Sequence, residues 1–359
     1  MSNSSGLCRV IESVTGRYPR TVTLENDLLR ISILADKGAD IYEFVYKPKG
    51  IDVLWKAPWG LRELGALAPS AANSEVAWLD HYEGGWQEIL PSGGGPCVYN
   101  GIAYAFHGEV STAPWDYQIV QPGGDVASVQ FRIRTTRTPF LLERTMQIEG
   151  GRPVVTFRER LVNEGAVPMA YMWGHHPAYG APFLGEACRL DIPARRFVNH
   201  PVQVFPERSW LPDGGSSPWP LVTGRTGQII DMRRIPGPEA RVNNLGYPTD
   251  LEEGWYALTN TALGFGVGLV WPKEAFPHIW LWQELCGSEV YPWWGRAYVM
   301  GVEIWTSYPG TGLADTVANG SARTLPPGGT TTVEVRALFY ESQTGVRRSH
   351  PDGTISIAE

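Results

Sequence analysis

The chain of 359 residues is poor in charge, in cysteine and in long apolar runs. Lys, Arg, Asp and Glu make up only 19% of it, and the net charge is −7. Binding nucleic acid through its phosphates needs a basic stripe, and an acidic balance without one excludes that partner. The pair Arg347-Arg348 is too short to supply it. The four cysteines, Cys8, Cys97, Cys188 and Cys286, stand far apart and form no C-x-x-C metal or redox pattern. No run of about 18 apolar residues occurs, so no membrane helix is expected. The start, MSNSSGLCRV, has no apolar stretch after a basic residue, so no signal peptide is expected either. Together these absences point to a cytoplasmic protein with reduced thiols. Gly93-Gly94-Gly95-Pro96 is not followed by Gly-Lys-Ser/Thr, which excludes a phosphate loop and leaves a surface loop or the lining of a cleft. No G-x-S-x-G elbow is present, which argues against a Ser-His-Asp hydrolase.

What the chain has in quantity is glycine (41), proline (29) and tryptophan (15). Long helices tolerate the first two badly, whereas short strands joined by tight turns accept both. Tryptophan at this level exceeds the ordinary demand of a core, and cleft tryptophans are platforms for flat, C–H-rich ligands such as sugars. Period-2 alternation is clear at Val129, Phe131 and Ile133, at Met146 and Ile148 before the Gly150-Gly151 turn, and at Val155, Phe157 and Glu159. Earlier strands are marked by Val22, Leu24, Leu29, Ile31 and Ile33, and the last by Thr332–Phe339. Residues 56–80 are irregular, with room for a short helix. Residues 209–228 read as an excursion, not a linker. The expected architecture is all-β, two large packed antiparallel sheets forming one sandwich domain over residues 1–345. A polar tail, 346–359, is expected to fray.

Histidine is scarce, at 7 residues, and two of its settings are unusual. One is Phe106-His107-Gly108-Glu109. The other is Gly174-His175-His176-Pro177-Ala178-Tyr179. Imidazole exchanges protons near neutrality, so both segments are candidates for proton transfer. Neighbours on an extended strand face opposite ways, so only one of His175 and His176 is expected in a cleft. The main acidic candidate is Glu303, in the apolar strand Tyr298–Thr306 on the same face as Gly301 and Trp305, with Glu284 as its rival. A carboxylate in so apolar a strand is costly unless paired or used. A metal site from His107, Glu109, His175 and His176 is the competing chemistry, but its spacing matches no regular ligand pattern.

Four stretches resemble the aldose 1-epimerase (galactose mutarotase-like) family. They are Asp36–Ile41 running on to Asp52–Trp55, Gly84–Pro91 with Asn100-Gly101 leading to His107-Gly108, Gly174–Tyr179, and Phe276–Trp282 followed by Val302-Glu303. In order they reach from about residue 22 to 340. The resemblance implies a large β-sandwich with a sugar cleft on one face and no cofactor or metal. It implies His176 as the acid that protonates the ring oxygen, Glu303 as the base at the anomeric hydroxyl, and His107 as the group that polarises the sugar. A family aspartate binds sugar hydroxyls. Asp250 matches it by order, with Glu252 and Glu253 as alternatives. Further sugar contacts are expected from Trp86, Glu109, Trp282, Trp305 and Tyr179. Glu109 would repel a phosphate, and no Arg follows His107-Gly108, so a neutral aldose is the expected substrate. The expected activity is interconversion of α and β anomers. Alternatives are another carbohydrate-active isomerase, lyase or glycosidase on the same scaffold, or a non-catalytic sugar-binding protein. The expected partner is a small carbohydrate, with no nucleic acid and no membrane, and a homodimer is the candidate assembly.

Overall fold

A computed structural model describes residues 7–65 and 73–358. Residues 1–6 of the N-terminal reading and part of the irregular 56–80 segment lie outside the described residues. Among the described residues, two antiparallel sheets of 13 and 8 strands dominate. The larger sheet has at its centre the order Asp40–Tyr46, Trp86–Ile89, Gly174–Gly180, Tyr298–Trp305, His278–Leu285, Val242–Thr249. The smaller is centred on Phe265–Val270, Thr330–Glu341, Val154–Asn163, Phe140–Glu149 and Val126–Arg134. They pack face to face as one sandwich.

The period-2 reading holds where it was clearest. Val129 and Phe131 on one strand, Phe140, Leu142 and Met146 on the next, and Val155, Phe157 and Leu161 on the third are all buried in the shared core. Fully burying each such side chain contributes about 1.5–3 kcal/mol. Gly151, at φ +70°, closes the hairpin between the second and third of these strands in a conformation that favours glycine. Arg144 and Glu159 are polar residues at inward positions on these strands, and both are buried.

The central strands of the large sheet are buried on both faces: every residue of Gly174–Gly180 is buried, as is all of Tyr298–Trp305 except Tyr298. Their outer face is therefore covered too. The cover includes the helix Ser74–Asp80, which falls inside the irregular 56–80 segment, together with loops around residues 204 and 292. The helix is capped by the Asn73 side chain, which accepts from the Val76 N–H at 2.9 Å.

The C-terminal segment departs from expectation. Val346–Ser349 pairs with Ile355–Ile357, and Val346 is buried among Val154, Trp255 and Leu338 on the outside of the smaller sheet. The apolar positions of a segment read as polar found an apolar face to cover, and Arg348 pairs with Glu253. No helix of the described residues is long and apolar enough to cross a membrane.

Candidate active site

Strand register builds the site. His176 lies directly opposite Gln87. His175 opposes Ile304 and Ala178 opposes Gly301, a register that sets His176 beside Glu303. Glu303 in turn opposes Trp280. Ile41 opposes Trp86, which places Asp40 beside Gln87, and the pairing of Gly246 with Leu281 places Tyr247 beside Trp280. The outer face thus carries one transverse row: Asp40, Gln87, His176, Glu303, Trp280, Tyr247. Neighbours in such a row are separated by about 4.7–4.9 Å, the strand spacing.

At the centre of the row, His176 Nε2 stands 3.5 Å from Glu303 Oε1, and both residues are buried. The second carboxyl oxygen of Glu303 accepts the Trp305 indole N–H at 2.9 Å. Trp305 is stacked on Trp280 with centroids 3.9 Å apart, so its N–H direction is fixed. Gly174 makes room for that indole, since a Cβ there would lie 2.2 Å from the ring. Burial pushes the Glu303 carboxyl up to about 8, with the Trp305 bond offsetting part of the rise. Burial also pushes His176 down to about 4. At neutral pH these shifts favour a protonated Glu303 beside an uncharged His176. The pair shares one proton.

His107 approaches from a loop, in the left-handed region at φ +54°. Its Nδ1 accepts the Gly94 N–H at 3.1 Å, which leaves the ring proton on Nε2. Burial, with His176 5.4 Å away ring to ring, holds it well below the usual histidine range. The three residues open on a cavity of about 210 Å³. Its aromatic walls include Trp78, Tyr82, Trp282 and Trp293, and among the described residues no Lys or Arg lines it.

Sequence reasoning missed several lining groups. His200 Nδ1 is bonded to the Tyr247 hydroxyl, whose oxygen accepts the Gly310 N–H at 2.9 Å. Asn243 gives its amide hydrogens to Glu284 Oε2 at 2.7 Å and Ser288 Oγ at 3.3 Å, and its Oδ1 has no partner. The Tyr82 hydroxyl is also buried without a partner. No local motif marks any of these positions. Glu284, the rival acid, also accepts the Ser288 N–H at 3.0 Å, so its role is to hold that corner.

Of the expected sugar contacts, Trp282 lines the cavity. Trp305 lies beneath it and touches Glu303 instead. Trp86 and Tyr179 have the opposite parity and face the inter-sheet core, where Tyr179 shares a hydroxyl bond of 2.6 Å with Tyr256. Glu109 is turned away from the cavity and caps a loop, accepting the N–H groups of Thr136 at 2.8 Å and Arg137 at 2.9 Å. Asp250 follows a strand end in the left-handed region and pairs with Arg196 at 3.0 Å on the surface. Glu252 and Glu253 are likewise paired outside, with Arg195 and Arg348. None of the three acids lines the cavity.

The residues of the metal reading are not brought together: His175 points inward, away from His107 and His176. The inward side does gather Glu88, Glu159 and His175, with ligand atoms within 4.8 Å of one another. Protein donors engage this group. Glu88 accepts from Trp173 at 2.8 Å and Arg144 at 3.1 Å, His175 Nδ1 accepts from Trp86 at 3.3 Å, and His175 Nε2 meets Glu159 at 3.1 Å. It is an ion cluster inside the core.

A family model described as a domain of unknown function (DUF4432) matches residues 17–208, more than half of the chain. No curated protein matches it by sequence. Solved structures do. A Klebsiella pneumoniae protein whose name proposes an aldose 1-epimerase superposes with a TM-score of 0.70 at 16% identity, over 92% of this chain and 82% of that one. A galactose mutarotase-like protein from Clostridium acetobutylicum gives 0.60 at 13% identity, over 92% and 98%. A galactose mutarotase related enzyme from Lactobacillus acidophilus gives 0.59 at 15% identity, over 91% and 100%. The fold is the galactose mutarotase-like β-sandwich.

Proposed function

The chain belongs to the DUF4432 family, whose description assigns no activity, and we propose that it is an aldose 1-epimerase acting on an uncharged aldose. The observation that carries this is the buried contact of His176 Nε2 with Glu303 Oε1 at 3.5 Å on the floor of an aromatic cavity. A hemiacetal carries its two oxygens on one carbon, so an acid and a base 3.5 Å apart can reach both. In the reactive arrangement the shared proton has moved from Glu303 to His176. Glu303 takes the proton of O1, C1=O1 forms, the C1–O5 bond breaks, and O5 takes the proton from His176 Nε2. After rotation about C1–C2 the steps reverse: His176 recovers the O5 proton, O5 attacks the other face of C1, and O1 regains its proton from Glu303. His107 Nε2–H supplies a fixed donor beside the reacting oxygens.

An uncharged substrate follows from the lining. Glu109 faces elsewhere and repels nothing in the cavity, but among the described residues no Lys or Arg is there to receive a phosphate or carboxylate. The test is exchange spectroscopy of α and β anomers across a panel of free aldoses, with and without the protein. Faster exchange of at least one aldose, lost in Glu303→Gln, is the expected result. No acceleration of any aldose, or turnover of methyl glycosides whose O1 carries no proton, would overturn the reading.

A further inference from the structure

Gln87 is beside His176 in the transverse row, directly across the strand pair. Both side chains are buried. Gln87 spends its two amide hydrogens away from His176, on Asp40 Oδ2 at 3.2 Å and on the Gly84 carbonyl at 2.7 Å. Its orientation is therefore fixed, and Oε1 is the remaining atom. That oxygen has no partner, and neither does Nδ1 of His176. One is an acceptor and the other a potential donor, on cross-strand neighbours whose Cβ atoms sit about 4.5–5.5 Å apart. Two buried polar atoms left open on cross-strand neighbours are a cost that pairing them would remove. Behind Gln87, the Lys37 ammonium is bonded to Asp40 and lies 2.8 Å from Glu83, all three buried. That ion cluster holds Asp40, and Asp40 holds the amide.

We propose that Gln87 is the positioning residue of His176: its Oε1 takes the Nδ1–H on rotation of the imidazole, fixing the ring proton on Nδ1 and leaving Nε2 free to exchange a proton with Glu303 and the substrate. Without that acceptor, a neutral imidazole can place its proton on Nε2, facing the protonated Glu303. Two donors would then oppose each other and the proton could not pass. The same bond stabilises the imidazolium formed when His176 takes the shared proton, in the way that an orienting partner supports a catalytic histidine. The role of His176 in turnover rests on the proposed function, but its tautomer is a property of the resting protein.

The experiment uses this independence. In the full-length chain labelled with ¹⁵N at histidine, His176 is assigned by the signal lost in His176→Asn. The expected pattern near neutral pH is a protonated Nδ1 and a bare Nε2. Gln87→Leu removes the acceptor and is expected to shift the proton toward Nε2, and Gln87→Glu keeps an acceptor and is expected to retain it on Nδ1. Other charged and titrating groups facing this ring are Glu303, His107, Tyr82 and Lys37 with its partners Asp40 and Glu83, and none changes in these variants. In turnover, Gln87→Leu is expected to lower kcat tenfold or more with KM little changed, and Gln87→Glu to recover part of it with the acid limb of the pH profile raised. A bare Nδ1 in the parent, or an unchanged His176 pattern in Gln87→Leu, overturns the inference. If Gln87→Leu fails to fold, the parent and Gln87→Glu patterns still decide. A parent with the expected tautomer and no anomer exchange overturns the proposed function alone.

Discussion

His175 and His176 are neighbours on one strand, both buried, and their protonation is pushed in opposite directions. His175 faces the second sheet. Burial opposes its charged form, but Glu159, 3.1 Å from Nε2, more than offsets this and raises its pKa. Both ring nitrogens are occupied. His176 faces the cavity. Burial acts on it with no firmly ionised partner to answer, and one nitrogen is left open. The contrast shows that burial does not decide what a histidine is for. Here the histidine with both ring nitrogens bonded ties the sheets together, and the one with an open nitrogen faces the cavity.

The largest break in this comparison should come on the outer face. His176→Asn is expected to lower kcat for anomer exchange by about 10²–10⁴-fold, the usual worth of a positioned acid or base, with the thermal midpoint almost unchanged. On the inner face the effect should invert. Arg144→Ala strands Glu88 in the core, and breaking such a buried pair costs about 3–5 kcal/mol, readable as a lower denaturant midpoint. His175→Phe should cost about 1–3 kcal/mol by leaving Glu159 unpaired, and the folded fraction should keep its kcat. A pH profile sharpens the same contrast. Activity needs one proton on the outer pair, so kcat/KM should fall below about 4, where His176 holds a second proton, and above about 8, where Glu303 loses the last one. The smallest effect is expected at Asp250→Asn. That exposed ion pair with Arg196 is worth about 0–1 kcal/mol, and KM for the sugar should not move.

The period-2 strands from 126 to 163 were legible because one face of each is buried, and alternation records burial. The tail was misread because Val346 and Ile355 only make sense against an apolar face on distant strands. In the site, His107, the His175-His176 pair and Glu303 could be named from the unusual settings of polar residues among glycines and aromatics, and the family resemblance chose His176 from the pair. Trp86 and Tyr179 carried the right chemistry with the wrong parity: each lies an odd number of residues from the outward-facing Gln87 or His176. Asp250 was placed by order along the chain, which says nothing about where a strand ends. Gln87, His200, Asn243 and Tyr82 have no local signature at all. Their roles are created by cross-strand neighbours many residues away.

The transverse row has a consequence for how such a protein can change over time. Its six members come from six strands between positions 40 and 303, and only register aligns them. Deleting one residue from any of those strands would turn its member into the core and replace it with an inward side chain. Insertions in the loops that roof the cavity, near residues 204 and 292, carry no such penalty. The walls of the cavity can be redrawn without disturbing the register of the row beneath.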